Sequence, residues 1–94
     1  MKKFTIYTEC RNRSILEKEF SNSFPSFTTY TGRGYYDYMT ERSLIFVVIT
    51  EDITETRLNI DNFCRYVCCV NEQIEVLVTE EDAKVTLIGQ SGIL

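Results

Sequence analysis

Gly32-Arg33-Gly34 is followed at once by Tyr35, Tyr36 and Tyr38, and shortly afterwards by Arg42. These side chains suit the recognition of an anion or a flat ring. A guanidinium presents a planar fork of donors matched to carboxylate or phosphate. Tyrosine adds a stacking face and a hydroxyl. Glycine on each side of the arginine lets the backbone bend sharply or approach a ligand closely. Tyr30 precedes the group, and Arg11 and Arg13 add charge wherever the fold brings them near. The candidate ligand-binding or interface residues are therefore Gly32, Arg33, Gly34, Tyr35, Tyr36, Tyr38 and Arg42. A bend that merely joins two strands uses the same residue types, because tyrosine favours strands. Tyr and Arg are also enriched in protein-binding hot spots.

Other chemistries lack their residues. The chain has no histidine, so Ser–His and Cys–His nucleophile pairs are excluded, along with the commonest metal ligand. No GxxxxGK[ST] loop is present, and Gly32-Arg33-Gly34 supplies only the first half of GxGxxG with no helix after it. The expectation is a protein that is not an enzyme. The enzymatic alternative works through carboxylates or tyrosine, in a pocket where one acid is buried beside a second polar group. Cys64, Cys68 and Cys69 form Cys-x3-Cys-Cys on a predicted helix, and positions four apart share a face. A structural zinc site, however, takes four ligands from paired short motifs, and only Cys10 remains. Cys64 and Cys68 read as small apolar residues of a buried stripe, with no metal and no cofactor expected. Glu80-Glu81-Asp82 lacks the spacing of a calcium loop and reads as a solvated turn.

Ninety-four residues, 44% of them hydrophobic and 26% charged, suit one globular domain, 1–94. A domain this small gains by self-association, and a homo-oligomer, dimer or trimer, is expected. The net charge is −4, and no Lys/Arg run exceeds Lys2-Lys3. Non-specific nucleic-acid binding and attachment to anionic membranes are therefore not expected, since both need clustered bases. Polar residues interrupt the start of the chain before an apolar signal segment can form, and no run reaches membrane-spanning length. The expected location is the cytoplasm, with all four cysteines as thiols.

These residues must be positioned by a small set of elements. A first strand is predicted over Lys3–Glu9, where Phe4 and Ile6 alternate with Thr5 and Tyr7. Ser14 and Glu17 have capping-box spacing ahead of Ile15, Leu16 and Phe20, which predicts a helix ending near Ser23, before the loop at Pro25. A second strand starts at Phe27 and runs toward the glycines, with the Gly-Arg-Gly elbow leading to the third. Leu44–Thr50 is a continuous apolar run, which suits a central strand covered on both faces. Asp52 and Glu55 repeat the capping-box spacing before a second helix, marked by Ile60, Phe63, Cys64, Val67 and Cys68 and stopped at Asn71. Strands are predicted at Glu75–Thr79 and Lys84–Ile88, with a turn over Glu80–Ala83 and a loose tail from Gly89. The order is β-α-β-β-α-β with an extra C-terminal strand. That is an α+β, ferredoxin-like arrangement: an antiparallel sheet with two helices on one face.

With its Gly-rich, Arg- and aromatic-containing connection, Thr31 to Arg42, this order resembles the PII-type signal-transduction proteins and the divalent-cation-tolerance proteins. The resemblance implies a ferredoxin-like, typically trimeric architecture in which that connection engages ligands or partners. The connection is shorter here than a full PII loop, and that family's nucleotide-binding bases have no clear counterparts, so a shared architecture is implied and not a shared ligand. The first functional reading is a small non-catalytic oligomeric binding or regulatory protein, taking a nucleotide-like or small anionic ligand at the strand 2–3 connection. The second is an inhibitor or adaptor encoded by a virus or mobile element, acting on a protein partner through its tyrosines and acidic turn. The third is the carboxylate- or tyrosine-dependent enzyme.

Overall fold

The computed structural model describes residues 1–93. Its elements are β1 (Lys2–Glu9), α1 (Arg13–Ser21), β2 (Thr28–Tyr36), β3 (Met39–Thr50), α2 (Thr54–Asn71), β4 (Leu77–Asp82), β5 (Ile88–Gly89) and β6 (Gly92–Ile93). The first four strands form one antiparallel sheet in the order β2-β3-β1-β4. This is the expected ferredoxin-like α+β fold, in which each helix carries the chain over the sheet and the next strand enters beside an antiparallel neighbour.

Alternation along the strands sends Phe4, Ile6, Leu44, Phe46 and Val48 to the helix side. In α2, Thr56, Ile60, Phe63, Val67 and Asn71 are buried, a spacing of three and four that keeps them on one stripe. Leu16 and Phe20 do the same for α1. Phe20 is the centre of the core: its ring lies 4.7 Å from Phe24, 4.9 Å from Phe27, 5.1 Å from Phe46 and 4.6 Å from Phe63. Edge-to-face and tilted contacts of this kind add to the area each ring buries. The other side of the sheet carries Thr5, Tyr7, Tyr30, Ile45, Val47, Ile49 and Leu77, which are brought together by their registers. No helix covers them, so β3 is not covered on both faces as its apolar run suggested, and Ile49 is exposed.

The helix ends differ from the capping-box expectation. Asn12, not Ser14, precedes α1, in a left-handed conformation with no side-chain cap. Its Nδ2 instead donates to the Val70 carbonyl at 3.3 Å and to Asn71 Oδ1 at 3.0 Å. Glu17 accepts from Thr29 Oγ1 at 2.6 Å, which ties α1 to β2. Asp52 likewise lies outside α2 and accepts from Arg57 Nε at 2.8 Å. The Glu17 carboxylate is thus taken by a tertiary partner, and that of Asp52 by an arginine five residues on in place of the α2 amides. The stop at Asn71 is as expected. Glu72 turns left-handed, and the Gln73 and Glu72 amides donate back to the Cys68 and Cys69 carbonyls, a Schellman closure.

Two turns are also relocated. Gly32-Arg33-Gly34 lies inside continuous β2 and is not an elbow. The chain reverses at Asp37 and Tyr38, both at positive φ, the two-residue hairpin geometry that matches strand twist. Glu80, Glu81 and Asp82 form the end of β4 and not a turn. Each faces a base: Glu80 meets Arg57 at 2.8 Å, Glu81 meets Lys3 at 3.7 Å and Asp82 meets Lys2 at 2.7 Å. The extra C-terminal strand, expected over Lys84–Ile88, begins only at Ile88 and pairs with β6 in a separate two-stranded sheet.

Candidate functional site

Registers create the site. Pairing of β1 with β3 stops at Glu9↔Ser43, with one further bond from the Cys10 amide to the Arg42 carbonyl at 3.0 Å, whereas β3 starts at Met39, so Met39 to Glu41 pair only with β2. The β2–β3 hairpin therefore stands out beyond the end of β1. On the other side, β1 and β4 stop pairing at Tyr7↔Leu77, which leaves the end of β1 without a strand neighbour. Side chains from the end of α2 take that place. Gln73 Oε1 accepts from the Glu9 amide at 3.2 Å, and Asn71 Nδ2 donates to the Glu9 carbonyl at 3.3 Å and to Gln73 Oε1 at 2.9 Å. Gln73 Nε2 in turn donates to the Glu75 carbonyl at 2.8 Å. Arg11 Nη1 closes the arrangement on the Asn71 carbonyl at 3.2 Å. The main chain of Glu9 is thus held on both its polar atoms, as buried backbone groups must be.

Between the hairpin, the end of β1 and the segment after α2 lies a cavity of about 620 Å³. Its wall includes the carboxylates Glu9, Glu41, Glu72 and Glu75 and the rings of Tyr7, Tyr35 and Tyr36, with no lysine or arginine. Glu9 Oε2 is buried and accepts no hydrogen bond. Arg11 Nε lies 3.2 Å from it, but off the line of donation. Its charge is met by Arg11, but its hydrogen-bond capacity is open to a donor on a ligand.

Of the residues singled out in the sequence, Gly34, Tyr35 and Tyr36 line this cavity. Gly34 leaves room there: a Cβ at that position would sit 3.1 Å from Ser43 Oγ. Gly32, Arg33 and Arg42 line a second hollow of about 440 Å³ on the hairpin, which shares Glu41 with the cavity, and Arg42 also borders a third of about 580 Å³ with Glu9, Arg11, Tyr36 and Glu41. Tyr38 stands fully exposed at the tip. Tyr7, Glu9, Glu41, Asn71, Glu72, Gln73 and Glu75 were not anticipated. The available signal was positional: the polar run Asn71-Glu72-Gln73 follows the stop of α2 at the same end of the sheet where β1 ends.

The cysteines are free thiols. Burial, with Cys68 and Asp61 nearby, pushes the Cys64 thiol up to about 11, so it stays protonated near neutrality and packs as an apolar group. It lies against the core. Among the described residues no group of three or more His, Cys, Asp or Glu is placed to hold a metal ion, and no helix is long and apolar enough to cross a membrane.

No family model matches the chain, and no curated protein matches it. Solved structures do share its fold. A phage SAM lyase in complex with S-methyl-5'-thioadenosine superposes with a TM-score of 0.69 at 13% identity, covering 86% of this chain and 80% of the lyase. GlnK of B. subtilis, in its ATP complex, gives 0.55 at 14% identity, covering 93% and 84%. The designed protein Foldit4 gives 0.50 at 11% identity, covering 88% and 96%. The ferredoxin-like fold of the PII type is therefore established. The expectation that the chain is not an enzyme is corrected by the first of these. An enzyme is built on this architecture, so the absence of histidine and of phosphate-loop motifs does not make the chain non-catalytic.

Proposed function

We propose that this chain is an oligomeric protein that binds a cationic adenosine derivative, of the S-adenosylmethionine type, in the Tyr7–Glu9–Tyr36 cavity and cleaves it at sulfur. The observation that carries the reading is the charge of the wall: four carboxylates and three tyrosines with no base among the lining residues, Arg11 balancing only Glu9 from outside it. A sulfonium is attracted by carboxylates and by the faces of aromatic rings. Ribose hydroxyls and the adenine amino group are donors to the same carboxylates. A nucleoside triphosphate would be repelled, because it needs the Lys and Arg clamps that this wall lacks. The two natural proteins of like fold support the nucleoside part, since one is described with S-methyl-5'-thioadenosine and the other with ATP.

The cleavage is compatible with a site without histidine. In S-adenosylmethionine the sulfur leaves as a neutral thioether, which needs no protonation. The simplest balanced step is internal: a ligand carboxylate oxygen bonds to the chain carbon while the C–S electron pair passes to sulfur. One positive and one negative charge are consumed and no proton moves. The protein must then hold the ligand folded for attack and exclude water, a task of orientation more than of acid–base chemistry.

Oligomerisation belongs to the same reading. The helix-free face of the sheet exposes Tyr30 and Ile49 beside half-buried Val47, an apolar surface suited to a second copy. Light scattering tests this by solution mass; a monomer at all concentrations overturns it. For the ligand, the full chain is incubated with S-adenosylmethionine, release of S-methyl-5'-thioadenosine is followed by chromatography, and thermal shifts are compared with ATP. Product formation and stabilisation by both adenosyl thio-compounds above ATP is the expected result. No product, with stabilisation by ATP alone, overturns it.

A further inference from the structure

Arg33 and Arg42 are register partners across β2 and β3. Partners in an antiparallel pair project to the same face, so two guanidinium side chains share one side of the hairpin. Among the described residues neither forms an ion pair or a side-chain hydrogen bond, although seven other ion pairs are present. Glu41 precedes Arg42 and alternates to the other face with Gly34, its register partner. Thr40 pairs with Tyr35 on the arginine side, and Thr31, two residues before Arg33, alternates to it as well. The hollow of about 440 Å³ is lined by Thr31, Gly32, Arg33, Thr40, Glu41 and Arg42.

We infer that this face of the hairpin is a second ligand site, one that takes a phosphate monoester dianion. Two opposed cations match the charge of a dianion, which at neutral pH carries between one and two negative charges. Each guanidinium can reach two oxygens in the bidentate geometry that favours arginine over lysine. The threonine hydroxyls supply neutral donors at either end. Glu41 borders both this hollow and the carboxylate-walled cavity, but the arginine pair gives this face the opposite charge, so the two favour opposite ligands: a cation in the cavity and a dianion here.

The test uses the full chain at fixed ionic strength, titrated with inorganic phosphate against chloride and followed by arginine side-chain NMR signals and thermal shift. Phosphate is expected to move the Nε–H signals of Arg33 and Arg42 and to raise the melting temperature. Arg33→Gln and Arg42→Gln should each weaken binding by about tenfold or more, the loss of a charge-assisted hydrogen-bonded contact. Tighter binding of 5'-AMP than of phosphate identifies a nucleotide as the source, and equal binding identifies the free dianion; either supports the site. No response beyond that to chloride overturns it, as does an undiminished response in both variants. S-methyl-5'-thioadenosine, which has no phosphate, should bind both variants as it binds wild type. If the variants lose it too, the two sites are one and the inference fails. If wild type never binds it, the nucleoside reading falls, while the phosphate titration still decides this site.

Discussion

Asn71, buried on the last turn of α2, donates its side-chain amide to the carbonyl of Glu9, the last residue of β1, at 3.3 Å. The two residues are 62 apart in the chain. This contact replaces the strand neighbour that β1 lacks at its end, and it places the Glu9 carboxylate on the wall of the cavity. A single buried amide therefore couples the stability of the sheet to the shape of the site.

Replacing Asn71 by alanine should destabilise the protein by about 1–3 kcal/mol, because the Glu9 carbonyl and Gln73 Oε1 lose a donor and Asn12 Nδ2 loses an acceptor. Urea denaturation measures it. A change within experimental error would show that water takes over these groups without cost.

Glu9→Gln removes a charge while keeping the shape of the side chain. Binding of the S-adenosylmethionine cation should fall by about tenfold, roughly 1.4 kcal/mol, and that of neutral S-methyl-5'-thioadenosine by clearly less. Paired calorimetric titrations separate the two. Equal losses would mean that Glu9 only shapes the cavity or meets the ribose.

Arg33 and Arg42 repel each other while their site is empty. Arg33→Gln should therefore raise stability by about 0.2–1 kcal/mol at low salt, and the gain should fade as salt screens the pair in wild type. Melting temperatures across a chloride series check this; a destabilised variant at low salt would reveal a hidden partner for Arg33.

The clamp between α2 and β4 governs the acid side of stability. Hydrogen bonds and charge from Arg57 hold the Asp52 and Glu80 carboxyls below their usual range. Groups depressed in the folded state stabilise it above their unfolded values, about 4, and that contribution is lost as pH falls through the folded values. Arg57→Gln should thus lower the melting temperature at pH 7 and flatten its decline between about pH 4 and pH 2. Both groups are exposed, so the change is modest. Parallel melting curves for the two proteins at every pH would remove the clamp from the account.

Local pattern carried most of the architecture. The buried stripe of α2, the alternation of β1, the stop at Asn71 and the order of elements all follow from neighbours within a few residues, because side-chain periodicity and backbone preference are local properties. What tertiary structure alone decided was pairing at a distance. Gly-Arg-Gly looked like a bend, but β3 extends far enough to pair with it, so the reversal moved to Asp37-Tyr38, where two left-handed residues fit the strand twist. Ser14 and Asp52 have the spacing of caps, yet Glu17 is taken by Thr29, twelve residues on and in another element, and Asp52 by Arg57, which also holds Glu80 across on β4. The cavity is the extreme case: Tyr7 and Glu9, Tyr36 and Glu41, and Glu72 to Glu75 come from three separated stretches. They converge only because the register ends β1 at Glu9 beside the close of α2, and register is set by how the whole apolar face packs.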